Sequence, residues 1–468
     1  MGKGSSNVSS IAIVSVFIVS GCLDTAVIGL FPPLFSSMAK ELNVSVSSMG
    51  FVSAITILFI ALSSIVWGYL ADKGRRKRLI FFGTSIWTMS LLFTALSQNF
   101  IQLITFQIFT GIGLGCIGSI GFSVLSDYIP KKYLGTLMSL WGLSQGFGGI
   151  LGSVTAPIIS AHYGWRSPFI TIAVLGFFFV LFLFFIKEPQ KGVAEPELKA
   201  LESRGISYNY SIKLSHFKLI FDRKSNRWLM LQGFFMSITL GSLLWLPTLY
   251  GAKIMAEGID EKTSLIVAGY FYALLQIGGL STMYFGYLGD KLQKNTLKGR
   301  ALLTGSLNLI SIPLYVIMFS LPMNNLELFE SGNPLSIMSS LINQFIFNPW
   351  ILGMFLLSVL ASAAQSANIP NWLALLTDVN LPEHRATTFS IANLLNGIGR
   401  SFGNAFMGIV LGVVSSYYPS PYNYIITMAI FQLFMVPAAF GYFMVSKNSR
   451  TDIQNVRAIL KERADKLK

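Results

Sequence analysis

The 468-residue sequence is short of charge, of histidine and of cysteine, and each shortage removes a class of activity. Charged residues make up 12% of the chain, against roughly 25% in soluble globular proteins, which excludes an ordinary water-soluble enzyme. The two cysteines, Cys22 and Cys116, both lie inside apolar runs and give neither a disulfide framework nor a metal-ligand pair. The three histidines, His162, His216 and His384, fall in predicted loops, so no nucleophile or metal constellation remains for a membrane-embedded hydrolase. No G-x-x-x-x-G-K-[ST] loop occurs, so direct nucleotide drive has no support and no cofactor is expected. Acid is scarce as well, with 20 Asp and Glu against 34 Lys and Arg. In a soluble chain that surplus would suggest nucleic acid as partner. Here it sits between apolar runs and reads as a topology signal.

What the chain has in plenty is apolar length. Hydrophobic residues reach 53%, with 38 Phe, in runs of the length that a helix needs to cross a bilayer. Twelve spans fall at roughly 11–35, 47–70, 79–98, 100–126, 134–160, 165–186, 227–250, 263–288, 299–321, 346–377, 386–416 and 422–445, giving an all-α polytopic membrane protein. Its expected parts are a six-helix half over 1–186, a polar central loop over 187–226, a second six-helix half over 227–446 and an amphipathic tail over 447–468. An extra loop is expected over 322–344. Counting alternate loops, 29 of the 34 basic residues fall on one side, so both termini and the central loop are expected in the cytoplasm, with the plasma membrane as location.

The halves repeat. Gly68-Tyr-Leu-Ala-Asp72-Lys73 recurs as Gly286-Tyr-Leu-Gly-Asp290-Lys291, and Asp127, Pro130 and Thr136 have counterparts in Asp378, Pro382 and Thr387. Gly146, Gly148 and Gly152 match Gly397, Gly399 and Gly403 at one shared offset, and read as sites of close helix packing. With Gly74-Arg75-Arg76-Lys77-Arg78 following Lys73, the first copy resembles the signature loop of the major facilitator superfamily. Tyr163-Gly164-Trp165-Arg166, opening the sixth helix, adds to that resemblance. It implies two six-helix halves that rock about a midplane cavity, with no enzymatic activity. It also implies a cytoplasmic gate at Gly68, Asp72, Lys73, Arg75, Arg76 and Asp290, in which Gly68 lets two helices approach and Asp72 acts as a charge clamp. The fourth helix carries Gln107 where proton-coupled members carry arginine, so the resemblance supplies no relay there.

Two ionisable residues fall deep within spans, Asp24 and Arg400, at about 21 Å and 18 Å from the cytoplasmic ends of their helices at 1.5 Å per residue. Each is costly in the bilayer and is expected to face the interior. Asp24 is the candidate proton carrier, and a structural partnership with Arg400 is the alternative. Arg400 can hold a carboxylate or phosphate through paired hydrogen bonds. Gln107, Gln145, Gln276, Gln365, Asn368, Asn393, Asn396 and Asn404 could line a cavity or serve as hydrogen bonds between helices. Gln365 and Asn368, three apart, share one helix face.

The tail places Ile453, Val456, Ile459 and Leu460 on one face among basic residues, as in a helix lying on an anionic leaflet, and Leu214, Phe217 and Phe221 form a similar stripe. The sequence thus points to a monomeric secondary transporter moving a small organic solute by alternating access, coupled to protons or another ion through Asp24, with the lipid bilayer as surroundings. A uniporter or amphiphile exporter resembling the spinster-like lysolipid carriers is the alternative, and a non-transporting membrane sensor is one of another class.

Overall fold

The computed structural model describes residues 4–73, 76–121, 134–183, 220–327 and 333–466. Among these the elements are helical, and ten helices are long and apolar enough to cross a membrane. Two more, α5 (Leu134–Tyr163) and α6 (Arg166–Leu183), complete a set of twelve. The chain separates into two compact units, 1–209 and 210–468.

In the first unit α1 (Gly4–Glu41), α2 (Val46–Lys73), α3 (Arg76–Ala95) and α4 (Phe100–Cys116, with a wider turn over Ile117–Gly121) precede α5 and α6. Asn99 caps α4 by accepting the Gln102 N–H at 2.9 Å, filling one of the donor positions left open at a helix start.

The second unit holds α7 (Lys224–Ala256), α8 (Glu261–Lys294), α9 (Gly299–Ser320), α10 (Pro349–Asp378), α11 (Pro382–Val414) and α12, which runs as Tyr422–Gln432 and Met435–Lys466. Four of these are interrupted. α7 tightens over Leu243–Trp245 ahead of Pro247, α10 changes segment at Ala367 ahead of Pro370, and α12 breaks after Gln432 ahead of Pro437. In each case the proline lacks the N–H that the carbonyl four residues earlier would receive. In α8 the interruption is Gly278–Ser281, where Gly278 seats against the α10 backbone at Val359 and Ala363. The loop over 322–344 is not wholly irregular: Asn333 caps a helix over Pro334–Phe347, and Asn348 ties it back to the Asn324 and Asn325 carbonyls at 2.9 and 3.0 Å.

Candidate functional site

The two halves share one seat. In the first, a methyl group at Gly148 would overlap the Cys22 carbonyl, one at Gly152 the Ala26 carbonyl, and one at Gly29 would stand 2.9 Å from the Gly149 oxygen. In the second, Gly399 meets the Phe234 carbonyl, Gly403 that of Ile238, and Gly241 that of Arg400. Residues 22, 26 and 29 of α1 therefore correspond in register to 234, 238 and 241 of α7, as do 148, 149 and 152 of α5 to 399, 400 and 403 of α11. Small residues at these positions let backbones touch, which is what holds helices together in a solvent as apolar as they are. The register sets Met236 at the station of Asp24 and Gly149 at that of Arg400, so each deep charge stands on a frame whose other copy lacks it.

Asp24 is 9% exposed, and its Oδ1 has no hydrogen-bond partner. The carboxylate lies within electrostatic reach of the Cys116 thiol of α4, and no ion pair engages it among the described residues of its half. Gln107 is spent otherwise: Thr56 of α2 donates to its Oε1 at 3.0 Å, and its Nε2 donates to Thr94 of α3 at 2.9 Å. Both ends of that amide join helices. Gln145 is exposed on α5.

Arg400 is partly buried on α11, its Nε has no partner, and Tyr272 of α8 lies within its electrostatic reach. Gln365 and Asn368 straddle the break of α10 and serve different neighbours. Tyr315 of α9 donates to Gln365 Oε1 at 2.9 Å, and Tyr442 of α12 donates to Asn368 Oδ1 at 2.6 Å. Asn396, with its amide nitrogen turned to α7, donates to the Gly233 carbonyl at 3.1 Å. Gln276 is half-buried beside the α8 interruption, and Asn393 is exposed.

Residues 17–347 match the Major Facilitator Superfamily. The chain belongs to that superfamily. A cis,cis-muconate transport protein of Acinetobacter baylyi is 28% identical over 281 residues, 58% of this chain and 64% of that protein. A multidrug resistance protein, MdtG, of Escherichia fergusonii is 24% identical over 391 residues, 82% of this chain and 84% of that one. The riboflavin transporter RibZ of Clostridioides difficile matches at 25% over 42% of this chain and 41% of its own. The match thus spans less than two thirds of the muconate and riboflavin proteins. Among solved structures, a bacterial homologue of the human lysosomal transporter Spinster superposes with a TM-score of 0.69 at 18% identity, covering 97% of this chain and 99% of that one. A D-xylose–proton symporter gives 0.60 at 16%, over 92% and 99%. At such identities the likeness is one of fold. The relatives and neighbours are transporters, not enzymes.

The superfamily signature is only partly visible. The side chains of Asp72 and Lys73, and Gly74 with Arg75, lie outside the described residues, as do Asp127, Pro130 and the Thr136 side chain. Arg76 is buried. At Gly68, nothing among the described residues stands within 4 Å of the position a Cβ would take. The second copy is better defined. Arg300, at the start of α9, bonds Asp290 at 2.6 Å and also Asp378 at the end of α10. Spacing had singled out Asp290 without its partner, because Arg300 belongs to the next helix.

The tail corrects an expectation. Ile453 and Val456 are 2% and 3% exposed, and Ile453 packs with Ile220, Leu229 and Val379 inside the second half, so this face covers protein, not lipid. Arg223 gives α7 no side-chain cap, and Asp452 supplies one from the tail, accepting the Ser225 N–H at 3.1 Å. Leu214 and Phe217 lie outside the described residues, and Phe221 is exposed.

At the far ends of the helices, Arg166 pairs with Glu41 and donates to the Ser97 carbonyl at 2.9 Å, while Trp165 donates to Glu41 at 2.7 Å. Position 253 of α7 corresponds to 41 of α1 in the shared register. There Lys253 is buried and donates directly to the Phe319 and Leu321 carbonyls at 2.6 and 2.7 Å. Cation and dipole meet at a helix C-terminus in both halves, through opposite residues. Lys253 lies just beyond the expected end of the seventh span at 250, and its neighbours in sequence give no sign of the two backbone carbonyls that receive it.

Proposed function

We propose that the chain is a proton-coupled secondary transporter of a small organic solute, working by alternating access, with Asp24 as the proton-carrying group and Arg400 as a solute contact. The observation that carries this is Asp24 itself: a buried carboxylate with an open oxygen and no ion pair among the described residues of its half. A carboxylate in such surroundings holds a proton until water or solute reaches it, which is the behaviour that coupling requires. The cargoes named for relatives, muconate and riboflavin, are consistent with a small organic solute. Gln107 drops out of the solute site, since both ends of its amide are occupied.

The test is flux. Vesicles carrying the purified protein and an internal pH dye, challenged with muconate, should acidify in step with solute entry and faster than protein-free vesicles. Asp24→Asn should lose gradient-driven uptake yet keep solute–solute exchange. An unchanged pH dependence in that variant would overturn the reading and leave a uniporter on the same fold.

A further inference from the structure

The helix Pro334–Phe347, in the connection between α9 and α10, lies across its neighbours instead of alongside them. Tyr270 of α8 donates its hydroxyl to the Pro334 carbonyl at 3.0 Å, and the next residue, Phe271, meets the Phe345 ring edge-on at 6.3 Å between centroids. On α8 those two residues rise only about 1.5 Å apart, whereas Pro334 and Phe345 are about 16 Å apart along the short helix. The short helix therefore crosses α8. Because α8 is long and apolar enough to span the bilayer, a helix laid across it runs along the membrane plane. Phe271 stands about 13 Å along α8 from the exposed Lys262, and Phe345 also packs on Phe355, inside α10, at 5.0 Å. The crossing thus lies below the charged end of α8, where headgroups give way to acyl chains.

Around the short helix, at about 100° per residue, three sectors follow one another. Ile337 and Leu341 are buried against the protein, with Phe345 beside them. Next come Leu335, Met338, Ile342 and Ile346, all exposed among the described residues, Ile346 at 69%. The third sector is polar, Ser336, Ser339 and Asn343, and leads round to Gln344, which donates to the Glu327 carbonyl at 3.1 Å in the polar connection from α9. Protein at one flank, apolar side chains beneath and polar ones above is the pattern of a helix lying in a membrane interface. Trp350, exposed just past the helix end, is a residue type that settles at the same level. The helix carries no charged residue, so anionic headgroups find nothing on it to hold, and burial of apolar area alone can seat it.

We propose that Pro334–Phe347 is an in-plane lipid-binding helix, with Leu335, Met338, Ile342 and Ile346 seated among the acyl chains of the adjoining leaflet whatever the charge of the headgroups. Through Phe345, which touches both Phe271 and Phe355, that leaflet bears on α8 and α10 together.

The experiment is spin labelling of the full chain in phosphatidylcholine vesicles, one nitroxide at a time, in a Cys22→Ser, Cys116→Ser background. Collision with oxygen, which concentrates among acyl chains, is compared with collision with a water-soluble nickel chelate. Labels at Leu335, Met338, Ile342 and Ile346 should favour oxygen several-fold, labels at Ser336, Ser339 and Asn343 should favour nickel, and a label at the buried Ile337 should meet little of either. Adding phosphatidylglycerol should leave the profile unchanged. Should Cys116→Ser fail to fold, Cys116 can stay, since it is buried. Nickel reaching all the exposed positions alike would place the helix in water and overturn the proposal. Low collision with both reagents at Ile342, together with dipolar broadening between labels, would mean that a second copy of the chain covers the face, and would overturn it too. A profile that appears only with phosphatidylglycerol would overturn the charge-independent seating.

Discussion

A side chain at Gly148 or Gly403 has nowhere to go, because the Cys22 and Ile238 carbonyls occupy the space. Gly146, in the same stretch, faces nothing within 4 Å among the described residues. Gly148→Ala and Gly403→Ala should each destabilise their half by about 1–3 kcal/mol through backbone displacement. Gly146→Ala should be neutral or stabilise by up to about 1 kcal/mol through helix propensity. Thermal unfolding of the three purified variants separates them, and equal losses would contradict the seat. The sequence pattern carried the shared offset of these glycines but not which of them touch a neighbour. The deep charges were legible in the same way: Asp24 and Arg400 stand out against apolar runs. Their surroundings were not, just as whether the Gln365 oxygen is occupied depends on a tyrosine 50 residues away on another helix.

Among elements, interruptions and caps are the features to test. Asp260 accepts the Lys262 and Thr263 N–H groups at 2.9 and 3.1 Å and starts α8. The Thr263 side chain foremost, then these two backbone bonds, hold its carboxyl below the usual carboxylate range against a smaller opposing effect of burial. A lowered value in the folded state means the cap contributes at and above the ordinary range and is lost as pH falls through the lowered value. Asp260→Ala should therefore cost about 1 kcal/mol at neutral pH and progressively less in acid, measured by unfolding at several pH values. The tail gives a second test. Asp452→Ala should cost about 1 kcal/mol by uncapping α7, and Ile453→Ala about 2–5 kcal/mol by opening the core beneath it. A tail that served only as a lipid anchor would leave unfolding in detergent unchanged in both. Periodicity revealed the apolar stripe of this segment without revealing what it covers, because a helix face reads the same whether lipid or protein lies against it. The breaks in α7, α10 and α12 had visible prolines, yet length and hydropathy read each span as continuous.

For the whole molecule, the twelve-helix plan was the most legible property, since crossing a bilayer imposes length and hydropathy on every span. Orientation rests on loop charge alone and invites direct measurement. Both native cysteines lie within spans, so single cysteines can be added against a quiet background. Tyr163→Cys should react with a membrane-impermeant maleimide in intact cells, whereas Arg450→Cys should react only after permeabilisation. The reverse order would invert the topology.

The bond between Ser225 and Asp452 joins residues 227 positions apart. It fixes an order of assembly. The first turn of α7 enters the membrane with its donors open and waits for nearly all the rest of its half to be synthesised before Asp452 arrives to close it. Until then the half is an unfinished ring in which late chain completes early chain, a long-range closure that is slow by nature and exposes the partly made product to misassembly and proteolysis. Quality control acting on this protein would find its weakest stage there, after insertion is complete and before the last helix has docked.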